Sequence, residues 1–337
     1  MGNSNVTGRN DADFTRAQFK GDADFRSTMF IGMATFNSAN FYKNSGFEYA
    51  QFSKDAFLSA YYDGNVNFSG ADFNGFTNFV GSHFRKDAQF HFSQFNGDAD
   101  FVGAHFDGRA NFGNSHFGKD AGFDLAQFDV ANFWFAEFVE DAEFSEATFG
   151  RNGSFRESKF NKNAEFYKVQ FNGTSDFIGA EFSDIRTSVT NFNKVRFIGD
   201  ISFADAIFGE LTIFREAYFN STLDLTYTRF DRIEVDWGEI ADSLVCDGPV
   251  YLSLVRNFKD IEQFEDADGC YYSYRQWRQD QESFGVAKFF DYVSMLTCGY
   301  GVRPLYPVVW SYLLILTFGL IYWRFEAIQK TVVYFLN

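Results

Sequence analysis

Gly97-Asp98-Ala99-Asp100-Phe101-Val102-Gly103-Ala104-His105-Phe106 holds two phenylalanines five residues apart, each preceded by alanine two places back. The motif recurs at alternating steps of five and six residues, as in Phe14, Phe19, Phe25, Phe30, Phe36, Phe41, Phe47 and Phe52, and runs to Phe230. In an extended segment neighbouring side chains point to opposite faces, so Ala99 and Phe101 go inward while Asp100 between them goes out. So short a unit can bury its ring only by stacking on the next one, and the spacing therefore predicts a solenoid. Alanine lets the coil turn tightly, and similar rings form ladders about 4.8 Å apart. The inward set expected on this pattern includes Phe14, Phe25, Phe36, Phe47, Phe79, Phe90, Phe101, Phe112, Phe123, Phe144, Phe155 and Phe166.

Forty-nine phenylalanines in 337 residues, with only three prolines, exclude collagen-like and disordered chains. A net charge of −16 argues against a nucleic-acid binder, which needs a basic face, so no nucleic-acid partner is expected. Cys246, Cys270 and Cys298 stand far apart, indicating neither a disulfide framework nor a zinc site, and fit a reducing compartment. Residues 1–10 form a polar arm without the apolar core of a signal peptide, and Val6 stands where a myristoylation motif needs Ser or Thr.

Ala12-Asp13-Phe14, Ala23-Asp24-Phe25, Ala71-Asp72-Phe73, Ala110-Asn111-Phe112 and Ala131-Asn132-Phe133 resemble the unit A-(D/N)-(L/F)-x-x of the pentapeptide-repeat family. The resemblance extends over roughly residues 11–230. It implies an all-β solenoid, a right-handed four-sided parallel β-helix spanning 11–235, with four units to a coil. This chain departs from the family rule by adding a residue to every second unit, so four units take twenty-two positions in place of twenty. The extra residue, as in Asn96-Gly97 or Gly118-Lys119, is expected to bulge at a corner. A two-sided coil of eleven residues would give the same spacing. The rhythm slips at Tyr61-Tyr62, at Phe128-Phe133-Phe138, and between Phe182 and Phe192 through Ile185 and Arg186, each a candidate kink or loop.

His83 and His105 lie one such coil apart and should stack on one outer face, while His116 also precedes a phenylalanine; a metal ladder there would lack a third ligand in the same layer. Asp22, Asp87, Asp98, Asp120 and Asp141, each just before the small residue, read as a solvated acidic face that discourages edge aggregation. No nucleophile–base pairing, phosphate-cradling loop or H-E-x-x-H motif is present, so neither an enzyme nor a cofactor is expected.

Beyond about Glu234, Ile240, Leu244, Val245, Tyr251, Leu252 and Val255 take helical spacing, which predicts a small helical cap over 236–282. Ala267, Cys270, Tyr271 and Tyr274 fall on one side of its second helix. An amphipathic helix and turn lying on a membrane surface are expected at 283–303, and a transmembrane helix at 304–325. Arg303 and Arg324 stand outside aromatic residues at the two ends of that span, followed by a tail at 326–337. Thr297-Cys298-Gly299-Tyr300-Gly301 looks like a potassium-channel filter, but a filter needs four copies held between two helices, so a glycine turn is expected. Cys298 to Pro304 resembles prokaryotic pentapeptide-repeat membrane proteins in which C-G-Y-G-V-R-P precedes a first span, a pore-like segment and a second span. The sequence thus points to a single-pass, membrane-anchored interaction scaffold with its repeat domain in the cytoplasm. Its partners would be the lipid bilayer through 304–325 and either an unidentified protein or its own copies. Two alternatives stand beside it: the cytoplasmic and first-span part of an ion-channel-like protein, and a DNA mimic that binds topoisomerase as fluoroquinolone-resistance pentapeptide proteins do.

Overall fold

The computed structural model describes residues 10–182, 188–283 and 285–324, in two compact units, 1–250 and 251–337. The first is a parallel β-solenoid. Its strands are mostly two residues long and occupy four faces in turn, beginning with Ala12–Asp13, Gln18–Phe19, Ala23–Asp24 and Met29–Phe30. Each pairs with the strand one coil later: Ala12 with Ala34, Gln18 with Asn40, Ala23 with Ser45 and Met29 with Gln51. Each partner is therefore the fourth strand on, so the coil is four-sided. The two-sided alternative falls, because it would pair Ala12 with Ala23. The first face holds eleven strands among the described residues.

Rings stack in register along each ladder, as in Phe101 on Phe123 at 4.9 Å and 4°. Phe36, Phe47, Phe79, Phe90, Phe101, Phe112, Phe123, Phe144, Phe155 and Phe166 have no exposed surface. Phe14 and Phe25 are only half-buried, because they belong to the first coil and have a stacking neighbour on one side alone.

Two kinds of corner turn the chain. At the five-residue step a four-residue turn closes, with Ala17 N–H donating to the Phe14 carbonyl and Arg16 at φ 59°. A positive φ at the third residue is the type II pattern. The side chain before the phenylalanine completes it: Asp13 accepts the Thr15 N–H at 2.9 Å, and Asp100, Asn111 and Asn132 accept the N–H two residues on. The D/N of the repeat is thus the acceptor of its own turn. At the six-residue step the added residue sits in a bend. A Cβ at Gly97 would come within 2.5 Å of the Gly75 carbonyl oxygen, so at this coil the corner passes too close to its neighbour for a side chain, whereas the next coil has Lys119 at the same position.

The slips at Tyr61-Tyr62 and Phe128-Phe133-Phe138 are single-residue shortenings that leave the ladders through Tyr62 and Phe133 intact. Tyr62 stacks between Phe41 and Phe84 at 5.0 and 4.8 Å, and Phe133 between Phe112 and Phe155 at 4.8 Å each. At the third slip Ala164 pairs with Thr190, four positions beyond the regular spacing. The intervening residues 183–187, with Ile185 and Arg186, lie outside the described set.

The solenoid continues past the expected boundary at 235. Leu244–Val245 is a strand paired with Leu223–Asp224, and a one-turn helix α1, Trp237–Ile240, precedes it. Leu244 belongs to the inward ladder because it lies one shortened coil after Leu223, a spacing that the local helical pattern obscures. α2, Gly248–Asp260, and α3, Phe264–Gln281, follow as a helical hairpin. Ala267 and Cys270 on α3 are buried, with the Cys270 thiol 3.7 Å from the Tyr251 carbonyl; Tyr271 and Tyr274 are half-buried. α4, Val286–Cys298, and α5, Leu305–Arg324, complete the described chain. The arm at 1–9 and the tail at 326–337 lie outside the described residues.

Candidate functional site

The corner between the third and fourth faces carries bulky apolar side chains that the core does not use. Tyr49, Phe92 and Phe135 are 68, 54 and 49% exposed. All three occupy the positive-φ position of the turn, at 59°, 60° and 56°. A left-handed backbone costs a residue with a side chain about 1–2 kcal/mol, and these rings stay about half exposed or more. The coils between them carry Gly70 and Asn114 at the same position, so the aromatics fall on every second coil. A Cβ on Gly70 would lie 2.7 Å from the Tyr49 ring, so that ring lies across the next coil's corner. The His91 and Phe92 rings are 4.2 Å apart, and Trp134 Nε1 donates to Ser154 Oγ one coil on.

Beside this ridge, the third face carries a ladder of amides. Asn132 Nδ2 donates to Asn111 Oδ1 at 3.1 Å, and Asn111 Nδ2 to Gln89 Oε1 at 2.9 Å. A cavity of about 360 Å³ opens there, lined by Arg109, Asn111, Val130, Asn132, Trp134 and Asn152 among others. The corner and this face form one surface of exposed aromatics against neutral amides, a composition typical of protein contacts.

The first face differs in charge. Glu143 and Glu165 are paired in register, and Asp124 lies beside them. For Glu143, burial first and then repulsion from neighbouring carboxylates raises the pKa. Burial likewise raises that of Asp124 against its hydrogen bond from Ser145, and that of Glu165 against its hydrogen bonds from Asn191 at 2.8 and 3.0 Å.

The expected site residues separate. His83 and His105 are register partners with ring centroids 5.8 Å apart, and His83 Nε2 sits 2.7 Å from Asp107. His116 lies on another face, 3.0 Å from Glu137. No group of three or more His, Cys, Asp or Glu residues suited to a metal occurs among the described residues. The acidic positions are not simply a solvated face. Asp22, Asp87, Asp120 and Asp141 each accept the backbone N–H of the equivalent residue one coil on, at Asn44, Arg109, Asp141 and Asn163, over 3.0–3.2 Å. The added residue interrupts the ladder at this corner, and the carboxylate replaces the missing acceptor. Asn44 and Asn65 do the same, which a periodic Asp/Asn before the small residue could have disclosed.

In the second unit Gly299, Tyr300 and Gly301 all have positive φ, at 56°, 58° and 91°. Gly299 ends α4 in the left-handed conformation, and the turn leads into α5. Tyr300 is buried, its ring 5.6 Å from Tyr272 and under the Arg275 guanidinium at 4.6 Å; burial pushes its phenol up to about 12. The filter-like motif is therefore a packed turn against α3. Arg303 stacks on Tyr272 at 5.2 Å, and Arg324 is the last residue of α5. α5 has 20 residues, is exposed throughout, and is long and apolar enough to cross a membrane. α4 also exposes Val286, Phe289, Phe290 and Leu296.

The family model described as pentapeptide repeats (9 copies) matches residues 63–105 and again 79–127. No curated protein and no solved structure is significantly similar to the chain.

Proposed function

We propose that this pentapeptide-repeat protein is a membrane-anchored interaction scaffold, with α5 as its anchor and the corner bearing Tyr49, Phe92, Trp134 and Phe135 as its docking surface for a protein partner. The observation that carries the docking surface is the exposure of large aromatic rings at a strained turn. Three exposed aromatics hold a left-handed turn position that Ser27, Gly70, Asn114 and Glu157 fill on the coils beside them. The anchor rests on the length and unbroken apolar surface of α5, with Arg303 and Arg324 at its ends. Three cysteines outside any disulfide suit a reducing compartment, which favours a cytoplasmic repeat domain.

Two measurements test this reading. Carbonate extraction should leave the full chain in the membrane fraction, with the solenoid protected from protease on one side only; recovery in the soluble fraction removes the anchor. Capture of a partner by the full chain should be lost on Tyr49→Ser/Phe92→Ser/Phe135→Ser, and capture indifferent to these changes removes the docking surface. A second reading, nucleic-acid mimicry, draws on the carboxylates Asp124, Glu143 and Glu165 of the first face. Inhibition of topoisomerase supercoiling by the chain would support it, and unchanged supercoiling would remove it.

A further inference from the structure

Helix α4 is amphipathic with its polar side turned towards the protein. Every exposed residue of α4 is uncharged, and Val286, Phe289, Phe290, Val293 and Leu296 form one outward stripe at helical spacing. Its two charged residues, Lys288 and Asp291, lie on the opposite side and are half-buried. Arg275 of α3 is paired with Asp291, with 22 and 18% of the two side chains exposed, and Lys288 Nζ donates to the Glu282 carbonyl at 2.9 Å. A helix on a water-facing surface has the reverse arrangement, because apolar side chains gain by burial and charges lose by it. The stripe therefore faces an apolar medium.

Contacts on either side of α4 point to lipid as that medium. In the second turn of α5 the Trp310 indole N–H donates to the carbonyl of Leu296, the last residue of the stripe, at 2.7 Å. Trp310 stands about 7.5 Å along α5 from Leu305, and a tryptophan near the end of a span sits at headgroup level, so the C-terminal end of α4 is held at that level too. The stripe thus ends against α5, whose side chains are exposed throughout. On the other side α3 exposes Glu265, Asp268, Arg278 and Asp280, charges that the hydrocarbon core excludes. The helix α4 is placed between the two.

We infer that α4 is a second lipid-binding element, lying along the headgroup boundary with its stripe towards the acyl chains and with the Asp291–Arg275 pair holding α3 on the aqueous side. Helices that lie in this plane seat their apolar face about 5–10 Å into the boundary. The outward face carries no charge, so the contact needs no anionic lipid and forms on phosphatidylcholine. This deepens the anchor reading, on which the level of Trp310 rests.

The test uses the full chain with Cys298→Ser in phosphatidylcholine vesicles, carrying a nitroxide at Phe290→Cys, at Val293→Cys or, for comparison on the solenoid, at the exposed Lys119→Cys. Cys246 and Cys270 are buried, so the introduced thiol takes the label. Both α4 labels should lose collisions with an aqueous nickel chelate that the Lys119→Cys label retains, while keeping collisions with oxygen, which dissolves among the acyl chains. Carbonate extraction of the same samples reads α5 separately. A carbonate-resistant chain whose α4 labels stay open to the nickel chelate overturns the inference and leaves the anchor standing. Loss of oxygen collisions as well, or dipolar broadening between labels on two copies, also overturns it, since protein would then cover the stripe. Labels shielded by lipid in a chain that carbonate strips away uphold the α4 contact and remove the span, and a chain that binds no vesicles removes both.

Discussion

The repeat assigns each residue a separate physical task, and substitutions should separate them. Removing an inward ring leaves a void between two stacked neighbours, so Phe123→Ala should cost about 3–5 kcal/mol in denaturant unfolding. Phe123 is fully buried between Phe101 and Phe144. The corner acceptor behaves differently. Asp87→Ala leaves the Arg109 N–H without its partner and should cost about 1–2 kcal/mol, whereas Asp87→Asn should be nearly neutral, because Asn65 performs the same task one coil earlier. Faster amide exchange at Arg109 in the alanine variant alone would identify the cause. At the turn, Leu125 is exposed at φ 58°. There Leu125→Gly should hold or raise the melting temperature, while the β-branched Leu125→Val should lose about 1 kcal/mol. The inward phenylalanines and alanines were legible because burial imposes a strict period of two within each unit. The tasks of Asp87 and Leu125 were not, because acceptor and left-handed positions admit many residue types: Asp, Asn, Arg and Thr at the first, Arg, Tyr, Leu and Glu at the second.

At the level of elements, the four faces followed from the length of the repeat, but the end of the solenoid did not. Leu244–Val245 is a strand whose partner, Leu223–Asp224, lies one shortened coil earlier, while Ile240 and Leu244 stand four apart as they would on a helix. Local spacing cannot separate these cases; only the register set by Leu223 does. For α5 the composition was decisive, since no charged side chain interrupts Pro304 to Trp323. A charge at its centre should oppose insertion by about 2.5–3.5 kcal/mol, so Leu314→Arg should shift the full chain out of the carbonate-resistant fraction. Leu305→Arg, at the end of the helix, should leave it there.

Across the whole molecule, acid and base are unevenly distributed, and stability should follow. Asp124, Glu143 and Glu165 have carboxyl pKa values raised by burial and by neighbouring carboxylates. Folding therefore favours their protonated forms, and the stability they contribute is present at acid pH and lost as pH rises through their raised values. The solenoid should thus gain stability on acidification from neutral into the upper carboxylate range, and Glu143→Gln should flatten that gain while raising stability at neutral pH. Thermal melts of both chains across pH check the sign. Carboxylates such as Asp24, held down to about 2 by Arg26, oppose this trend only at much lower pH. The acidic total was plain in the composition, yet the grouping of Asp124, Glu143 and Glu165 was not, because the outward position on that face carries Asp13, Thr35, Phe57, Asn78, Asp100 and Gly122 on the coils before Glu143.

The one-residue shortenings leave the ring ladders through Tyr62 and Phe133 unbroken, and this makes the solenoid a ruler with removable graduations. Ala88 and Ala110 are register partners. Excising Ala88 to Arg109 would therefore join like positions, and would shorten the distance between the solenoid's ends by about 4.8 Å without altering either. Any activity that depends on reach, and not on the chemistry of one coil, should then change in equal steps as coils are taken out.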